Sequence, residues 1–592
     1  MRRSIAITAL GLALPALAAG GQPAEPPPDR SAPSGTIAFS SLAPRGWDLY
    51  LLEIESRETR RLTDHPALDF NAAFAPDGGR IAFVSERDGN AELYTIRTDG
   101  AGLTQLTNEF ALNDRPAWSP DGASIAFSST REPADAPGRA WNAVYVMPVD
   151  GGPPRRLTPA DAADFSPAWS PTGDRIAVAS GDGEAGKTDL VVMAPDGADR
   201  HRVIADGGWP AFAADGRSLF FHSKREGKWG VWRVNLDGSG LERITPPDID
   251  AHTPAASADG KFLVATVSRR EHRQIVRIEL ATRALTDLTD ERADHWNPAI
   301  APDGRSVVHH RAAPDAPTPN VEPWGAPPGA SLRMLRLAGA FPAFSPDGRR
   351  IALTGSGFGR LDVMSIDGAG RETLYEGESR ALFSISWARR GDRIAFSEGP
   401  VFRGPGEQVE VATIHPDGSG YAKITQDPRN DGFPSFSPDG AEIVFRSGRD
   451  GPKNLYIMDA DGSNVRRLTE GRWTDTMCDW SPDGALIAFA SNRDGDFDIW
   501  LVRPDGTGLR KLVGGGGRNN HPHFSPDGRW IVFTSQRAGF SAEEISLPRQ
   551  PQPYGDLFAI RVDGSGLIRL THNGFEEGTP AWGPSLEDAG GR

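Results

Sequence analysis

The sequence predicts an all-β protein made of about twelve four-stranded sheets, and two features of the 592-residue chain support this prediction. An aromatic residue, a Ser-Pro-Asp-Gly turn and a β-branched run recur together, most clearly from Trp118, Phe344, Phe436, Trp480 and Phe524. Equivalent positions are mostly 43 or 44 residues apart, with longer steps of 49, 51 and 58. A fixed period of this size indicates a repeat architecture. The equivalent positions are Phe74, Trp118, Trp169, Phe212, Ala256, Ile300, Phe344, Trp387, Phe436, Trp480, Phe524 and Trp582.

One repeat, residues 432–469, contains four short segments that are typical of strands: 434–436, 442–445, 454–458 and 465–469. Ser-Pro-Asp-Gly, Arg-Asp-Gly and Asp-Gly sequences separate them, and proline and glycine favour tight turns. The segments are too short for helices and their connections have the length of hairpins, so each repeat predicts an antiparallel meander. One such sheet cannot bury both faces, and radial stacking of the copies gives the blades of a β-propeller.

The number of blades predicts two rings of six, because propellers hold about four to eight blades. Residues 36–63 lack an innermost strand and residues 579–582 supply one, so we expect the two chain ends to complete one blade. A sequential division gives a first propeller over residues 35–302 and a second over 303–585. The turn at 301–304 would have to open in that arrangement. The alternative places the boundary in the Pro-rich residues 312–330, with one ring inserted in the other.

The net charge and the two terminal segments of the chain indicate the protein's compartment and exclude some classes of partner. A formal net charge of −15 argues against nucleic acid as a partner. Residues 1–19 resemble a secretory signal peptide, 20–34 form a Pro-rich leader, and 586–592 predict a disordered tail. We therefore expect a periplasmic or secreted protein that is not embedded in a membrane. The single cysteine, Cys478, excludes an internal disulfide and is expected to be a buried, inert thiol.

Loops that lead into the innermost strands should meet at one mouth of a propeller channel. Their carboxylates, amides and histidines suit a peptide, a sugar or a cation. Each of these side chains could instead cap its own turn. The candidate ligand-binding residues are Asp69, Asp114, Asp164, Asp250, His252, Asp294, His295, Asp431, Asp475, Asn519, His521 and His523.

Histidines from different blades could bind a divalent metal, and the candidates are His252 with His295, and His521 with His523. The sequence contains no Gly-x-Ser-x-Gly, His-Glu-x-x-His or Cys-x-x-Cys motif. We therefore assign no catalytic residue, no metal ligand and no cofactor from the sequence.

The repeat resembles that of the TolB family, the WD-like propellers of bacterial envelope proteins. The resemblance rests on the Phe/Trp-Ser-Pro-Asp-Gly, Ile-Ala-Phe, Arg-Asp-Gly and Arg-Leu-Thr segments and covers nearly all of residues 35–585. It implies a channel that receives peptide segments of partner proteins. The chain departs from TolB itself, because the repeats begin at residue 36, which leaves no room for the α/β domain that precedes the TolB propeller.

The expected function is therefore a binding scaffold of the cell envelope, which holds a protein or peptide segment and has no catalytic machinery of its own. The resemblance leaves two alternatives. Similar repeats form the accessory propellers of prolyl-oligopeptidase-type peptidases, and oligogalacturonate lyases of similar repeat type hold a metal at the propeller centre. A metal-dependent, carbohydrate-active enzyme is the second of these alternatives.

Overall fold

The computed structural model describes residues 32–41, 43–131, 142–159, 162–181, 188–269, 271–312, 319–355, 357–377, 381–400, 408–537 and 555–585. The signal peptide, most of the leader and the C-terminal tail predicted above lie outside these ranges. Within them the chain forms 48 strands in twelve four-stranded sheets. Nowhere in these ranges is there a helix with the length and apolar character needed to cross a membrane.

The described strands confirm the all-β propeller and its four-stranded blades, and the Ser-Pro-Asp-Gly turn shows why each blade forms. The Ser437 hydroxyl donates to Asp439 at 2.6 Å and accepts the backbone N–H of Glu442 at 2.9 Å. Gly440 has a φ of 76°, which glycine adopts without steric cost. The turn therefore reverses the chain tightly between the innermost strand and the next one.

The first ring contains six sheets and is built from strands β2 to β25. The strand before them, β1 (Ser34–Ser41), belongs elsewhere. The strands of the first ring are β2 (Trp47–Glu53), β3 (Thr59–Arg61), β4 (Asp69–Phe74), β5 (Arg80–Ser85), β6 (Glu92–Arg97), β7 (Thr104–Gln105), β8 (Asn113–Trp118), β9 (Ser124–Ser129), β10 (Ala143–Pro148), β11 (Arg155–Arg156), β12 (Ala163–Trp169), β13 (Ile176–Gly181), β14 (Thr188–Met193), β15 (His201–Ile204), β16 (Gly208–Phe212), β17 (Ser218–Ser223), β18 (Gly230–Asn235), β19 (Glu242–Arg243), β20 (Ala251–Ala256), β21 (Phe262–Arg269), β22 (His272–Glu279), β23 (Leu285–Asp287), β24 (His295–Ile300) and β25 (Ser306–Ala312).

The second ring contains the other six sheets of the described chain and combines β1 with every strand after β25. These later strands are β26 (Val321–Trp324), β27 (Ser331–Leu337), β28 (Ala340–Phe344), β29 (Arg350–Thr354), β30 (Arg360–Ser365), β31 (Glu372–Glu376), β32 (Ala381–Trp387), β33 (Ile394–Gly399), β34 (Glu410–Ile414), β35 (Ala422–Lys423), β36 (Gly432–Phe436), β37 (Glu442–Ser447), β38 (Asn454–Asp459), β39 (Arg466–Arg467), β40 (Asp475–Trp480), β41 (Ile487–Ser491), β42 (Asp498–Val502), β43 (Arg510–Val513), β44 (Asn519–Phe524), β45 (Trp530–Ser535), β46 (Asp556–Arg561), β47 (Ile568–Arg569) and β48 (Glu577–Gly583).

Both rings close, because each innermost strand packs against the innermost strand of the next sheet. In the first ring these contacts run through β4, β8, β12, β16, β20 and β24 and return to β4. In the second they run through β28, β32, β36, β40, β44 and β48 and return to β28. Each ring therefore encloses a central channel lined by six strands. We call the side where the innermost strands begin the start face, and the side where they end the end face.

The two closing sheets show how the chain divides between the rings. The sheet of the first ring has the order β24, β25, β2, β3, and that of the second has the order β26, β27, β1, β48. Strand β1 lies antiparallel to β48, with Ile37 opposite Trp582, and parallel to β27. The chain ends therefore share a sheet, whereas β2 and β3 belong to the other ring. The first ring is inserted between β1 and β26 of the second.

This arrangement differs from the sequential division into residues 35–302 and 303–585. A boundary at residue 302 would separate β24 from β25, which belong to one sheet. The turn between these strands is intact: the Ala301 N–H donates to Ser306 at 2.8 Å and the Gly304 N–H donates to Ala301 at 2.8 Å. Strand β25 therefore stays with β24, and its other edge pairs with β2. The pairing corresponds to the alternative in which one ring is inserted in the other.

Candidate functional site

A bulge interrupts the register of every innermost strand in the described chain, and one non-glycine residue at each bulge has a positive φ. Bulges redirect side chains, and non-glycine residues adopt this backbone region only when the surroundings hold them there. In each ring the six residues form a belt around the channel. The first belt is Asn71, Arg115, Ser166, Trp209, Thr253 and Asn297, and the second is Phe341, Ser384, Phe433, Met477, His521 and Thr579.

The first belt is polar and is closed by its own contacts. Asn297 donates to Asn71 at 2.7 Å, and Asn71 donates to Asp114 at 2.7 Å. The Arg115 guanidinium lies 3.4 Å from the centre of the Trp209 ring, which is a cation–π contact. These side chains bind one another across the channel of the first ring.

A loop of the second ring covers the start face of the first belt. Phe575, in the connection from β47 to β48, packs against Trp47 and Phe70, with ring centres 6.0 and 6.2 Å apart. The remaining space beneath it is about 20 Å³ and is bounded by belt residues Asn71 and Asn297. In the same loop, His572 forms a 3.2 Å hydrogen bond with Thr130. The second ring therefore closes this mouth of the first.

Three of the six residues of the second belt have aromatic side chains. The His521 ring lies 5.9 Å from that of Phe341 and 6.5 Å from that of Phe433. Phe383 packs behind Phe433, with ring centres 5.5 Å apart. Burial lowers the pKa of His521 to about 4, so the imidazole is neutral at neutral pH. The belt is therefore an uncharged, aromatic floor across the channel.

A cavity of about 870 Å³ extends from this floor to the end face of the second ring. All six belt residues line it, together with the ends of the six innermost strands and the turns that follow them. Exposed turn residues, including Asp347, Arg390 and Asp439, form its rim, so the cavity opens to solvent there. The site is a blind channel with a single described opening.

The ionisable groups of the cavity wall, Asp479, Cys478 and His523, lie on β40 and β44. The Asp479 carboxylate accepts the Phe524 N–H at 2.8 Å and the Ser435 hydroxyl at 3.1 Å, and lies 3.8 Å from the His523 ring. Cys478 donates its thiol to the Phe433 carbonyl at 3.1 Å, and burial raises its pKa. The wall combines hydrogen-bonding groups with Trp387, Trp480 and Trp582, which is the composition of sites that bind mixed polar and apolar ligands.

Only three of the twelve residues predicted to bind ligand lie at a belt or in this cavity: Asp114 at the first belt, and His521 and His523 in the cavity. Five others are fully buried and bind an arginine of their own blade. These pairs are Asp69 with Arg87 at 3.1 Å, Asp164 with Arg200 at 2.8 Å, Asp431 with Arg449 at 2.9 Å, Asp475 with Arg493 at 2.9 Å, and Asn519 with Arg537 at 3.0 Å.

The four remaining candidates are not brought together into one site. Asp250 lies 3.5 Å from the Ser268 hydroxyl, and Asp294 accepts the Arg273 N–H at 2.7 Å. His252 and His295 are buried among other side chains. Across the described ranges, no group of three or more His, Cys, Asp or Glu side chains is arranged to hold a metal ion.

Two features of the site were missed from sequence. The twelve belt residues belong to eight residue types, so no repeat motif marks them. A sequence signal does mark the structural role of the buried Asp and Asn side chains. In five blades a Ser-x-Arg segment places the arginine 18 residues after the Asp or Asn, and its guanidinium binds both the serine and the acid or amide, as Arg87 binds Ser85 and Asp69.

The buried histidines of the first ring make its stability depend on pH. Burial lowers the pKa of His295 and of His310 to about 3, with Arg311 and Arg115 respectively adding repulsion. The folded state therefore binds fewer protons than the unfolded state below pH 6.5. The stability that each neutral histidine contributes is complete above that pH and is lost as the pH falls towards 3.

We expect His310→Phe to weaken this acid sensitivity. Between pH 6.5 and 5 the wild type should lose about 1 kcal/mol per pH unit more than the variant, because the unfolded-state histidine is only half protonated at pH 6.5. Chemical unfolding at several pH values measures the difference, and His201→Gln, at an exposed histidine, is the control. Parallel curves for the wild type and His310→Phe would contradict the assignment.

Two curated relatives match parts of the chain. An uncharacterized protein of Agrobacterium fabrum is 33% identical over 107 residues, which is 18% of this chain and 36% of the relative. A protein named TolB homolog of Chlorobium luteolum is 31% identical over 137 residues, which is 22% of this chain and 29% of the relative. The chain thus spans about a third of the length of each.

Two solved structures match the chain at low identity. The putative TolB of Agrobacterium tumefaciens is 24% identical, with a TM-score of 0.39, and the match covers 46% of this chain and all of that one. The tricorn protease is 16% identical, with a TM-score of 0.43, and the match covers 89% of this chain and 49% of that one.

The family itself is shown by a sequence profile. The PD40 profile, which describes the TolB beta propeller domain, matches residues 26–208, 144–319 and 357–550. These segments cover most of the chain and confirm the resemblance drawn from the repeats. The chain therefore belongs to the PD40 family of TolB β-propeller domains.

Proposed function

We propose that the protein is an exported binding scaffold whose second ring holds the end of a peptide segment of a partner protein. The observation that supports this proposal is the blind cavity of about 870 Å³, open at the end face and floored by the aromatic belt. A channel with one opening accepts the end of a chain or an extended tip more readily than a folded surface. Its volume falls in the range of about 300–1,000 Å³ that is common for ligand sites.

The chemistry of the cavity suits a peptide. The floor offers the rings of Phe341, Phe433 and His521 to an apolar side chain. The wall offers the Asp479 carboxylate and the Ser386 hydroxyl as hydrogen-bonding groups for a backbone. The first ring has a belt closed by its own contacts and a start face covered by Phe575, so we assign to it the role of a rigid support.

Export is the second part of the proposal and rests on the sequence. The Met-Arg-Arg start and the apolar run over residues 5–19 fit a secretory signal, so the scaffold would act in the periplasm or outside the cell. Fractionation of a producing bacterium tests this. Recovery of the unprocessed chain in the cytoplasm would contradict it.

A variant that fills the cavity tests peptide binding. Ser384→Trp would place an indole at the second belt, and Trp209 shows that tryptophan fits the same backbone conformation, with φ near 51° at both positions. A mixture of random acetylated hexapeptides is offered to the protein, and the retained peptides are counted by mass spectrometry. We expect Ser384→Trp to retain about tenfold less peptide than the wild type, which corresponds to a loss of about 1.4 kcal/mol.

Ser384→Ala, which leaves the cavity open, is the matched control and should bind like the wild type. Equal retention by Ser384→Trp and the wild type, or no retention by either, would overturn the proposal.

A further inference from the structure

One position on the rim of the cavity differs from its five counterparts. After five of the six innermost strands of the second ring, a proline stands two residues beyond the last aromatic residue, and these prolines line the cavity. In the blade that begins with β32 the sequence is Trp-Ala-Arg-Arg-Gly, so Arg389 stands where the other blades have proline. The five prolines are Pro346, Pro438, Pro482, Pro526 and Pro584.

Arg389 is a half-buried cation that the protein itself does not neutralise. Within the described part of the chain its side chain forms no ion pair and no hydrogen bond, whereas each of the three carboxylates that line the cavity has a partner. Asp347 accepts the Ser345 hydroxyl at 2.5 Å and Asp439 accepts that of Ser437 at 2.6 Å. Asp479 accepts the Phe524 N–H at 2.8 Å. The unengaged charge at the mouth is therefore positive.

A half-buried guanidinium at the mouth of a cavity favours a specific anion. Its planar fork can donate two parallel hydrogen bonds to a carboxylate, and such charge-assisted bonds are about twice as strong as neutral ones. Proline, the alternative residue at this position, donates no side-chain hydrogen bond. The exchange of proline for arginine in one blade thus changes the ligand chemistry of the rim without changing the aromatic floor.

We propose that Arg389 binds a carboxylate of the ligand at the rim while an apolar side chain of the same ligand contacts the belt at Phe341, Phe433 and His521. This inference rests on the proposed function and specifies it. The ligand is a peptide with an apolar segment followed by a carboxylate, which comes either from an acidic side chain or from the C-terminus. Arg389 is then the residue that selects peptides by charge.

Three matched mixtures of acetylated tetrapeptides test the charge and identify its source. All three have random apolar residues at the first three positions. The first mixture ends in glutamate amide, the second in glutamine with a free C-terminus, and the third in glutamine amide, which has no carboxylate. Retention by the wild type is compared with retention by Arg389→Pro, which restores the residue of the other five blades.

We expect the wild type to retain at least one carboxylate mixture about tenfold more than the glutamine amide mixture, with the preference falling as salt is raised. The mixture that is retained identifies a side-chain or a terminal carboxylate. Arg389→Pro should retain all three mixtures alike. Arg217→Gln, which removes one exposed charge at a turn of the first ring, should keep the wild-type preference.

The outcomes separate this inference from the proposed function. Equal retention of the three mixtures by the wild type, or an unchanged preference in Arg389→Pro, would overturn the role of Arg389 and leave peptide binding intact. Retention of no mixture by the wild type would overturn both. Coincident thermal unfolding of Arg389→Pro and the wild type establishes that the variant is folded.

Discussion

Arg336→Met is expected to lower the free energy of unfolding by about 3–5 kcal/mol, because it leaves buried carboxylates without their cation. Arg336 lies on β27 of the second ring and is 4% exposed. Its guanidinium binds Glu86 of the first ring at 2.8 Å and Glu322 at 2.6 Å. Glu322 also binds Arg45, at 2.7 Å. The network joins the two rings, and Glu86 is fully buried.

Denaturant unfolding measures this loss, and two further variants identify its origin. Arg97→Met removes an arginine whose ion pair with Asp99 is exposed, and should cost about 0–1 kcal/mol. The double variant Glu86→Leu with Arg336→Met removes both buried charges and should recover much of the loss. A single-variant loss below about 1 kcal/mol would show that the charges are not buried together.

Trp582→Ala should cost about 3–5 kcal/mol by opening a cavity where the second ring closes. Trp582 on β48 is 2% exposed, and its indole N–H donates to the Ser34 carbonyl at 2.9 Å. The residue lies opposite Ile37 in the register of β1 and β48. It therefore stabilises the sheet that the two ends of the chain share.

Thermal and denaturant unfolding of Trp582→Ala and Trp582→Phe measure this contribution. Phenylalanine keeps most of the buried ring and loses the hydrogen bond, so its cost should be smaller by about 2 kcal/mol or more. Proteolysis near the chain ends should accelerate in the alanine variant, because β1 loses its main packing partner. Equal stability of the alanine variant and the wild type would mean that this sheet does not close the ring.

The sequence was sufficient for the repeat, the four-stranded blade and the two rings, because the turn residues and strand periods are local signals that recur. The meeting of β1 with β48 also followed from an incomplete first copy and an incomplete last one. The assignment of β2 and β3 to the first ring could not be predicted from the sequence, because neighbouring copies have equivalent sequences. Which sheet edge a strand joins depends on ring closure, as the pairing of β2 with β25 illustrates.

The candidate site was harder to predict, because its residues have no common type. Polar loop residues such as Asp431 and Asp475 have the chemistry of ligands, but the structure uses them to bind Arg449 and Arg493 within their blades. The belts depend on backbone bulges, which the amino-acid pattern does not mark. His521 and His523 were identified as candidates from the sequence. Their position in a cavity that opens at the end face could not be predicted without the register of β44 and β45.

The most direct test of the account is a diffraction structure of the protein soaked with the tetrapeptide mixture that ends in glutamate amide. We predict peptide density in the second ring from the rim at Arg389 to the belt at His521, with the start face of the first ring still covered by Phe575. Peptide density over the start-face loops at Asp431 and Asp475, with the cavity empty, would contradict it.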